Sequence, residues 1–285
     1  MGDISLLNKR KFVINDKITI HIPTIREIRG DSYLDGINTD EADYYSLINL
    51  FSVTSTDIML ELHKQGIDFT QVSDYATFLM MFSNIPDTVM QSKSHLLFEN
   101  INFADFTISI NPENQEPVLY DATHDIVIDE MLYMRMSTVF CTINRLKKNK
   151  RKMGNETMKQ YAIEREEQHR KHRKKKPSGY ESRLDKYIIA LVNDCNFKYN
   201  FDTVNDLTIY DFNVSMQQII KKYQVKNTNM GMYMGTISLK GMSDEAKQRM
   251  LDWLDYESYT PSKKALPDNN MQVKTNYSAK KKSEQ

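Results

Sequence analysis

The sequence is poor in the residues that organise disulfide-rich, thiolate-metal or fibrous proteins. Its two cysteines, Cys141 and Cys195, have no second cysteine at CxxC spacing. A disulfide framework and a thiolate zinc site are therefore excluded as organising features, and we expect both cysteines to be small core residues. Nine glycines and seven prolines in 285 residues are also too few for a collagen-like or low-complexity chain.

Long apolar runs and an excess of charge of one sign are missing as well. The most apolar stretches, such as 75–82, are far shorter than the roughly 20 residues needed to cross a bilayer. The first residues lack the apolar segment of a signal peptide. Apolar residues at 40% and charged residues at 27% are typical of a soluble globular protein. We therefore expect a cytoplasmic protein with no membrane partner.

The net charge of zero conceals an uneven distribution along the chain. Residues 1–144 hold 9 basic and 21 acidic side chains, a net charge of −12. Residues 145–176 hold 14 basic and 4 acidic side chains, a net charge of +10. Residues 177–285 are nearly neutral. This pattern indicates an acidic domain, a basic connector and a neutral C-terminal part.

Hydrophobic periodicity predicts a mixed N-terminal domain. Alternating Ile18, Ile20 and Ile22 follow a turn and predict a β-hairpin. Residues 39–83 have helical spacing with clear caps, and residues 106–128 return to a period of two, which predicts an antiparallel meander. A further helix follows, for which Met131, Met134, Phe140, Ile143 and Leu146 could supply the apolar face.

The carboxylates Asp121, Asp125, Asp129 and Glu130 flank the predicted meander. Clustered carboxylates can hold Mg²⁺ in a nuclease, but such a site also needs ligands from other elements. No such ligand pattern is legible in the sequence. We therefore expect these acids to be turn and helix-start residues.

The basic connector contains the stretch EREEQHRKHRKKK at 164–176. Its caps and its i,i+4 pairs of Glu with Arg or Lys, in the favourable order, predict a helix. Because no apolar residues follow Ile163, we expect this helix to be solvated. The connector could grip an acidic protein surface. The basic residues concerned are Arg170, Lys171, Arg173, Lys174, Lys175 and Lys176.

Two other functions are open for the connector. Ten net positive charges could bind nucleic acid without sequence specificity, although stacking aromatics are missing from 164–176. His169 and His172 could share a metal ion, but the spacing is not HExxH and the neighbouring cations oppose a divalent ion. We favour neither over a protein contact.

The C-terminal part has helical periodicity and a Met-rich segment. Phe212, Met216, Ile219, Ile220 and Tyr223 continue one apolar stripe. Flexible methionines can form adaptable contact surfaces, although ordinary packing also explains them. The candidate partner-binding residues in this segment are Met230, Met232, Tyr233 and Met234.

These patterns predict an α+β fold. We expect an acidic domain of hairpin, helices and meander at 1–150, a basic helical connector at 151–179 and a small all-α domain at 180–256. Residues 257–285 lack apolar periodicity, which predicts a disordered tail. No nucleophile elbow, kinase, Walker, dinucleotide or zinc pattern is present, so the sequence predicts no enzyme, no cofactor and no metal.

The order of segments resembles a known type of protein. The segments concerned are INDKITIHIPTIREI, DYYSLINLFSVTSTDIMLELHKQGIDFTQVSDYATFLMMF, DATHDIVID, KKNKRKMGNETMKQYAIERE and LTIYDFNVSMQQIIKKYQ with GMYMGTI, which together cover roughly 10–255. They are similar to a protein encoded in the tail-gene region of phages and prophages of Gram-positive bacteria.

The resemblance implies a non-enzymatic tail assembly chaperone in the host cytoplasm. Its partners would be the tape-measure protein, which it holds soluble, and the tail tube protein, which it recruits. Two alternatives are a structural tail or baseplate component of the virion and a non-specific nucleic-acid-binding protein. No active-site residues are carried over by the resemblance, and it does not predict the oligomeric state.

Overall fold

The computed structural model describes residues 6–30, 33–34, 37–52, 56–112, 115–146, 155–173 and 183–251. The predicted tail at 257–285 and the basic residues Lys174, Lys175 and Lys176 lie outside these ranges. Within them, no helix combines the length and the apolarity needed to cross a bilayer.

The predicted α+β class is confirmed. The strands are β1 (Lys11–Val13), β2 (Thr19–His21), β3 (Tyr33–Leu34), β4 (Ile37–Asn38), β5 (Thr107–Ile110), β6 (Pro117–Asp121) and β7 (Ile126–Ile128). The helices are α1 (Ile25–Arg29), α2 (Thr39–Ser52), α3 (Thr56–Lys64), α4 (Asp74–Phe82), α5 (Asp87–Lys93), α6 (Glu130–Ile143), α7 (Glu156–Arg173), α8 (Arg183–Val192), α9 (Ile209–Tyr233) and α10 (Asp244–Leu251). The strands form three small antiparallel sheets, ordered β1-β2, β3-β4 and β5-β6-β7.

The N-terminal hairpin and the meander form where the periodicity places them. Strands β1 and β2 pair with Phe12 opposite Ile20, and Ile18, Ile20 and Ile22 are all fully buried. In the meander, Leu119 of the central strand pairs with Ile108 on one side and Ile128 on the other. Alternation of side chains thus buries Ile126 and Ile128 on the core-facing side of the meander, whereas Ile108 on the edge strand β5 is 47% exposed.

The centre of the main core is aromatic. Phe51 of α2 lies against Phe140 of α6, with ring centroids 4.4 Å apart. Phe78 of α4 stacks on Tyr133 at 4.6 Å, and Phe103 stacks on Phe98 at 5.1 Å. Large aromatic side chains bury more apolar area than other residues, so this cluster contributes much of the driving force for folding.

The C-terminal segment adds residues to the same core. Leu184 and Ile188 of α8 and Phe212 of α9 belong to the apolar cluster that contains the aromatic centre. The backbone N–H of Ile209 donates to the carbonyl of Pro23 over 2.8 Å. The predicted domain boundaries stay a prediction, but these contacts join the C-terminal helices directly to the N-terminal fold.

The basic connector forms the predicted helix, α7, but the helix is not solvated on all sides. Ile163 is buried in a second, smaller cluster with Met59, Leu60, Leu62 and Phe69. Glu166 is buried as well. The expectation of a solvated helix was therefore wrong for one side of α7, because Ile163 and the partly buried Ala162 pack on this cluster, which includes residues of α3.

Both cysteines were expected in the core, and the structure confirms this for one. Cys141 is buried in α6, whereas Cys195 is exposed in the loop after α8. Loop residues lie at the surface because a buried loop would leave backbone groups without hydrogen-bond partners.

Candidate interaction surface

Helix α9 is anchored firmly at its N-terminus. The hydroxyl of Thr208 caps the helix by accepting from the backbone N–H of Asp211 over 3.0 Å. Thr208 also forms a β-bridge to Thr24, and Tyr210 and Phe212 are buried. The first turn is therefore part of the main core.

The far end of α9 has a defined stop. Gly235 has φ +71°, a left-handed conformation that favours glycine at a helix C-terminus. The chain then turns back, so that Thr236 and Ile237 both donate their backbone N–H to the carbonyl of Gly231. A Cβ at Gly231 would lie 2.6 Å from Cδ1 of Ile237, which shows how closely the turn packs on the helix.

Between these ends α9 carries a stripe of exposed apolar side chains. We define the α9 stripe as Ile220, Tyr223, Met230, Tyr233 and Met234, which are 47, 38, 52, 93 and 71% exposed. Their consecutive spacings are three, seven, three and one residues, so they share one side of the helix, with the exposed Lys226 and Asn227 between Tyr223 and Met230. Val225 is buried and lies about 160° from Tyr223 around the helix axis, given 3.6 residues per turn.

The middle of the stripe is held in place by the loop that follows α8. The hydroxyl of Tyr223 bonds to the carboxylate of Asp194, which lowers the pKa of Asp194 and raises the pKa of Tyr223. The ammonium of Lys222 donates to Asn196 Oδ1 over 2.6 Å. Tyr223 therefore keeps its hydroxyl engaged while part of its ring stays accessible.

The structure places the predicted Met-rich residues in two environments. Met230, Tyr233 and Met234 are exposed, whereas Met232 is partly buried. Ile220 and Tyr223 were expected in the core stripe, and this was wrong because helix α9 extends beyond the core that would have covered them. Helical spacing that continues past the core into the Met-rich segment was the signal that could have identified them.

The methionines at the start of α6 also point outwards. Met131 and Met134 were expected on the apolar face of the helix, but both are exposed. Phe140 and Ile143 are buried as predicted, and the buried face is completed by Tyr133 and Met136. The prediction was therefore wrong only for the two methionines, because the first turn of α6 lies at the edge of the core.

The basic residues predicted to bind a partner have different environments in α7. The guanidinium of Arg170 pairs with Glu61 of α3 at 2.8 Å, and Lys171 is exposed. Arg173 ends α7, and nothing is described of its side chain. Lys159 on the same helix pairs with Asp68 at 2.7 Å. Hydrogen bonds from Lys159 and Thr70 lower the pKa of Asp68 to about 2.

The carboxylates around the meander have the predicted local roles. Asp129 caps α6, since its Oδ1 accepts from the backbone N–H of Leu132 over 2.7 Å. Asp125 pairs with Lys17 at 3.3 Å, and Asp121 accepts from the backbone N–H of Thr123 over 2.8 Å. Such contacts are typical of helix caps and tight turns.

The C-terminal segment that carries the α9 stripe also gives a family match. Residues 173–254 match the model of the YomV second domain. YomV is a protein family of Bacillus phages and prophages. The matched residues include α8, α9 and α10, so this part of the chain is similar to a phage-associated domain, in agreement with the predicted phage setting. No curated protein and no solved structure matches the chain.

Proposed function

We propose that this protein is a non-enzymatic phage tail morphogenesis protein that acts as an assembly chaperone. It holds the tape-measure protein soluble and recruits the tail tube protein. The observation that supports this proposal most strongly is the α9 stripe, an exposed apolar surface on an anchored helix. It lies within the segment that matches a phage-associated domain.

The stripe has the dimensions of a helix-binding surface. From Ile220 to Met234 it extends about 21 Å along the axis, given a rise of 1.5 Å per residue. Four turns of a partner helix cover the same length. A tape-measure protein is a long helical chain with apolar faces, which can lie along such a stripe with anchors at i, i+3, i+4 and i+7.

The composition of the stripe suits a partner whose sequence varies along its length. Met230 and Met234 have three rotatable side-chain bonds and a polarisable sulfur, so they adapt to different partner side chains. Tyr233 adds a large ring that is 93% exposed. A chaperone that moves along a long chain needs this adaptability more than close shape complementarity.

Nucleic-acid binding by the connector is supported less well. Lys159 and Arg170 are engaged with Asp68 and Glu61, and a phosphate would have to compete with both carboxylates. We therefore place the contact with tail proteins on α9 and not on α7.

The proposal is tested by coexpression with the tape-measure protein of the same phage. The variant Met230→Ser, Tyr233→Ser, Met234→Ser removes three anchors that are exposed, so the fold should be retained. If these anchors contribute about 3 kcal/mol of apolar burial together, the affinity should fall about 100-fold. The tape-measure protein should then pass from the soluble to the insoluble fraction.

A matched control changes two methionines and one tyrosine elsewhere on the surface. Met80, Met158 and Tyr161 are exposed at 42, 51 and 61%, and their triple replacement by serine should leave capture unchanged. Equal capture by the stripe variant and the control would refute the assignment of the stripe. Presence of the protein in purified virions would favour the structural-component alternative over the chaperone.

A further inference from the structure

Three potential metal ligands converge beside the meander from separate parts of the chain. Asp105 ends the 3-10 helix Phe103–Asp105, Asp121 ends β6, and His124 lies in the turn between β6 and β7. One ligand atom from each of the three side chains lies within 4.8 Å of the other two. A metal site at the meander needs a ligand from another element of the fold, and the sequence did not indicate one. In the structure, Asp105 lies in that position.

Asp121 is the fixed member of this group. Its side chain is fully buried, Oδ1 accepts from the backbone N–H of Thr123, and Oδ2 lies 2.6 Å from Nδ1 of His124. The backbone N–H of His124 donates to the same Oδ1, so the carboxylate is held in one orientation.

The other two side chains lie at the surface. Asp105 and His124 are exposed, so solvent and ions can reach both. In a zinc site the ligand atoms lie about 2.0–2.2 Å from the ion, which places them roughly 3.3 Å apart. Nδ1 of His124 must then move about 0.7 Å away from Oδ2 of Asp121.

We propose that Asp105, Asp121 and His124 form a binding site for a divalent transition-metal ion. Two carboxylates alone would suit Mg²⁺ or Ca²⁺, whereas an imidazole nitrogen in the set favours Zn²⁺ and its neighbours in the first transition row. The ion takes the place of the direct contact between Nδ1 of His124 and Oδ2 of Asp121. Water completes the coordination on the exposed side.

Such an ion would connect two segments that are distant in sequence. Phe103, two residues before Asp105, is fully buried in the aromatic centre of the core. His124 belongs to a surface turn. A bound ion would link this turn to the segment of Phe103 and Asp105 and would stabilise the end of the meander where β6 turns into β7. It should therefore raise the thermal midpoint of unfolding.

The test is calorimetric titration of the chelator-treated full-length protein with ZnCl₂ near neutral pH. We expect one tight site per chain in the wild type. The variants Asp105→Asn and His124→Gln should each weaken it at least tenfold. Asp105 is the sharper test, because its exposed side chain can be changed without removing the hydrogen bonds of Asp121. Circular dichroism checks that each variant remains folded.

Two control variants separate this site from other metal-binding groups. Asp125→Asn changes a carboxylate in the same turn that lies outside the trio, and it should bind Zn²⁺ as the wild type does. The double variant His169→Gln, His172→Gln removes the two histidines of the basic connector. It should also bind Zn²⁺ as the wild type does. The proposal fails if the wild type shows no tight site, or if Asp105→Asn and His124→Gln both bind Zn²⁺ as tightly as the wild type.

Discussion

The docking of α7 on α3 depends on one apolar side chain, so Ile163→Ala should release the helix. Among the described residues of α7, Ile163 is the one apolar side chain that is buried. It packs with Leu60, Leu62 and Phe69. Its docking is also supported by the Lys159 and Arg170 ion pairs. The carboxylates of these pairs, on Asp68 and Glu61, are 41 and 53% exposed, so screening by water limits what the pairs add.

The magnitude follows from the atoms that are removed. Ile163→Ala deletes three carbon groups, each worth about 0.8 kcal/mol when buried, or about 2.4 kcal/mol in total. Alanine recovers up to about 0.4 kcal/mol through its higher helix propensity. The net loss of about 2 kcal/mol corresponds to a roughly 30-fold larger population of the undocked helix.

Amide hydrogen exchange measures this opening directly. Protection of the α7 amides should fall about 30-fold in Ile163→Ala, while the amides of α2 and α6 keep their protection, because α7 belongs to a separate small cluster. The control Met158→Ala changes an exposed residue of the same helix and should leave the protection of α7 nearly unchanged. The reasoning is refuted if both variants give the same protection.

Two further predictions concern acid pH and backbone conformation. The pKa of Asp68 is lowered in the fold to about 2 by Lys159, so its contribution to the docking of α7 is present above about pH 4 and is lost as the pH falls towards 2. NMR of the α7 amides during acid titration should show this loss, and Asp68→Asn should abolish it. Gly30→Ala should unfold the protein at a lower urea concentration than Gly66→Ala. Both glycines have positive φ, at a cost of about 1 kcal/mol or more for alanine, but only at Gly30 would the new Cβ meet a neighbour, the carboxylate of Asp40. Equal urea midpoints for the two variants would contradict the close packing at Gly30.

Much of the local structure could be predicted because its causes lie within a few residues. The alternation of Ile18, Ile20 and Ile22 specifies a strand with one buried side. Thr24 and Glu27 form a complete capping box at the start of α1. Asp129 caps α6 with one hydrogen bond, from the backbone N–H of Leu132. In each case the residues concerned are two or three positions apart, so a short stretch of sequence contains the whole interaction.

The candidate surfaces were harder to predict because they depend on which parts of the chain remain uncovered. The apolar spacing of Ile220 and Tyr223 is the same as that of a core helix, and only the extension of α9 beyond its anchored turn leaves them exposed. Likewise, nothing near Asp121 in the sequence indicates Asp105, which lies 16 positions earlier and arrives through the pairing of β5 with β6.

By itself, the sequence determined the class of the fold, the positions of most helices and strands, and the uneven charge, since periodicity and capping are local. It also carried the phage resemblance, which the match of residues 173–254 supports at the level of a phage-associated domain. Only the tertiary structure decided that α7 docks through Ile163, that α9 presents an uncovered stripe, and that three ligands meet beside the meander. Burial and proximity depend on contacts between distant segments, and apolar periodicity does not reveal which segments meet.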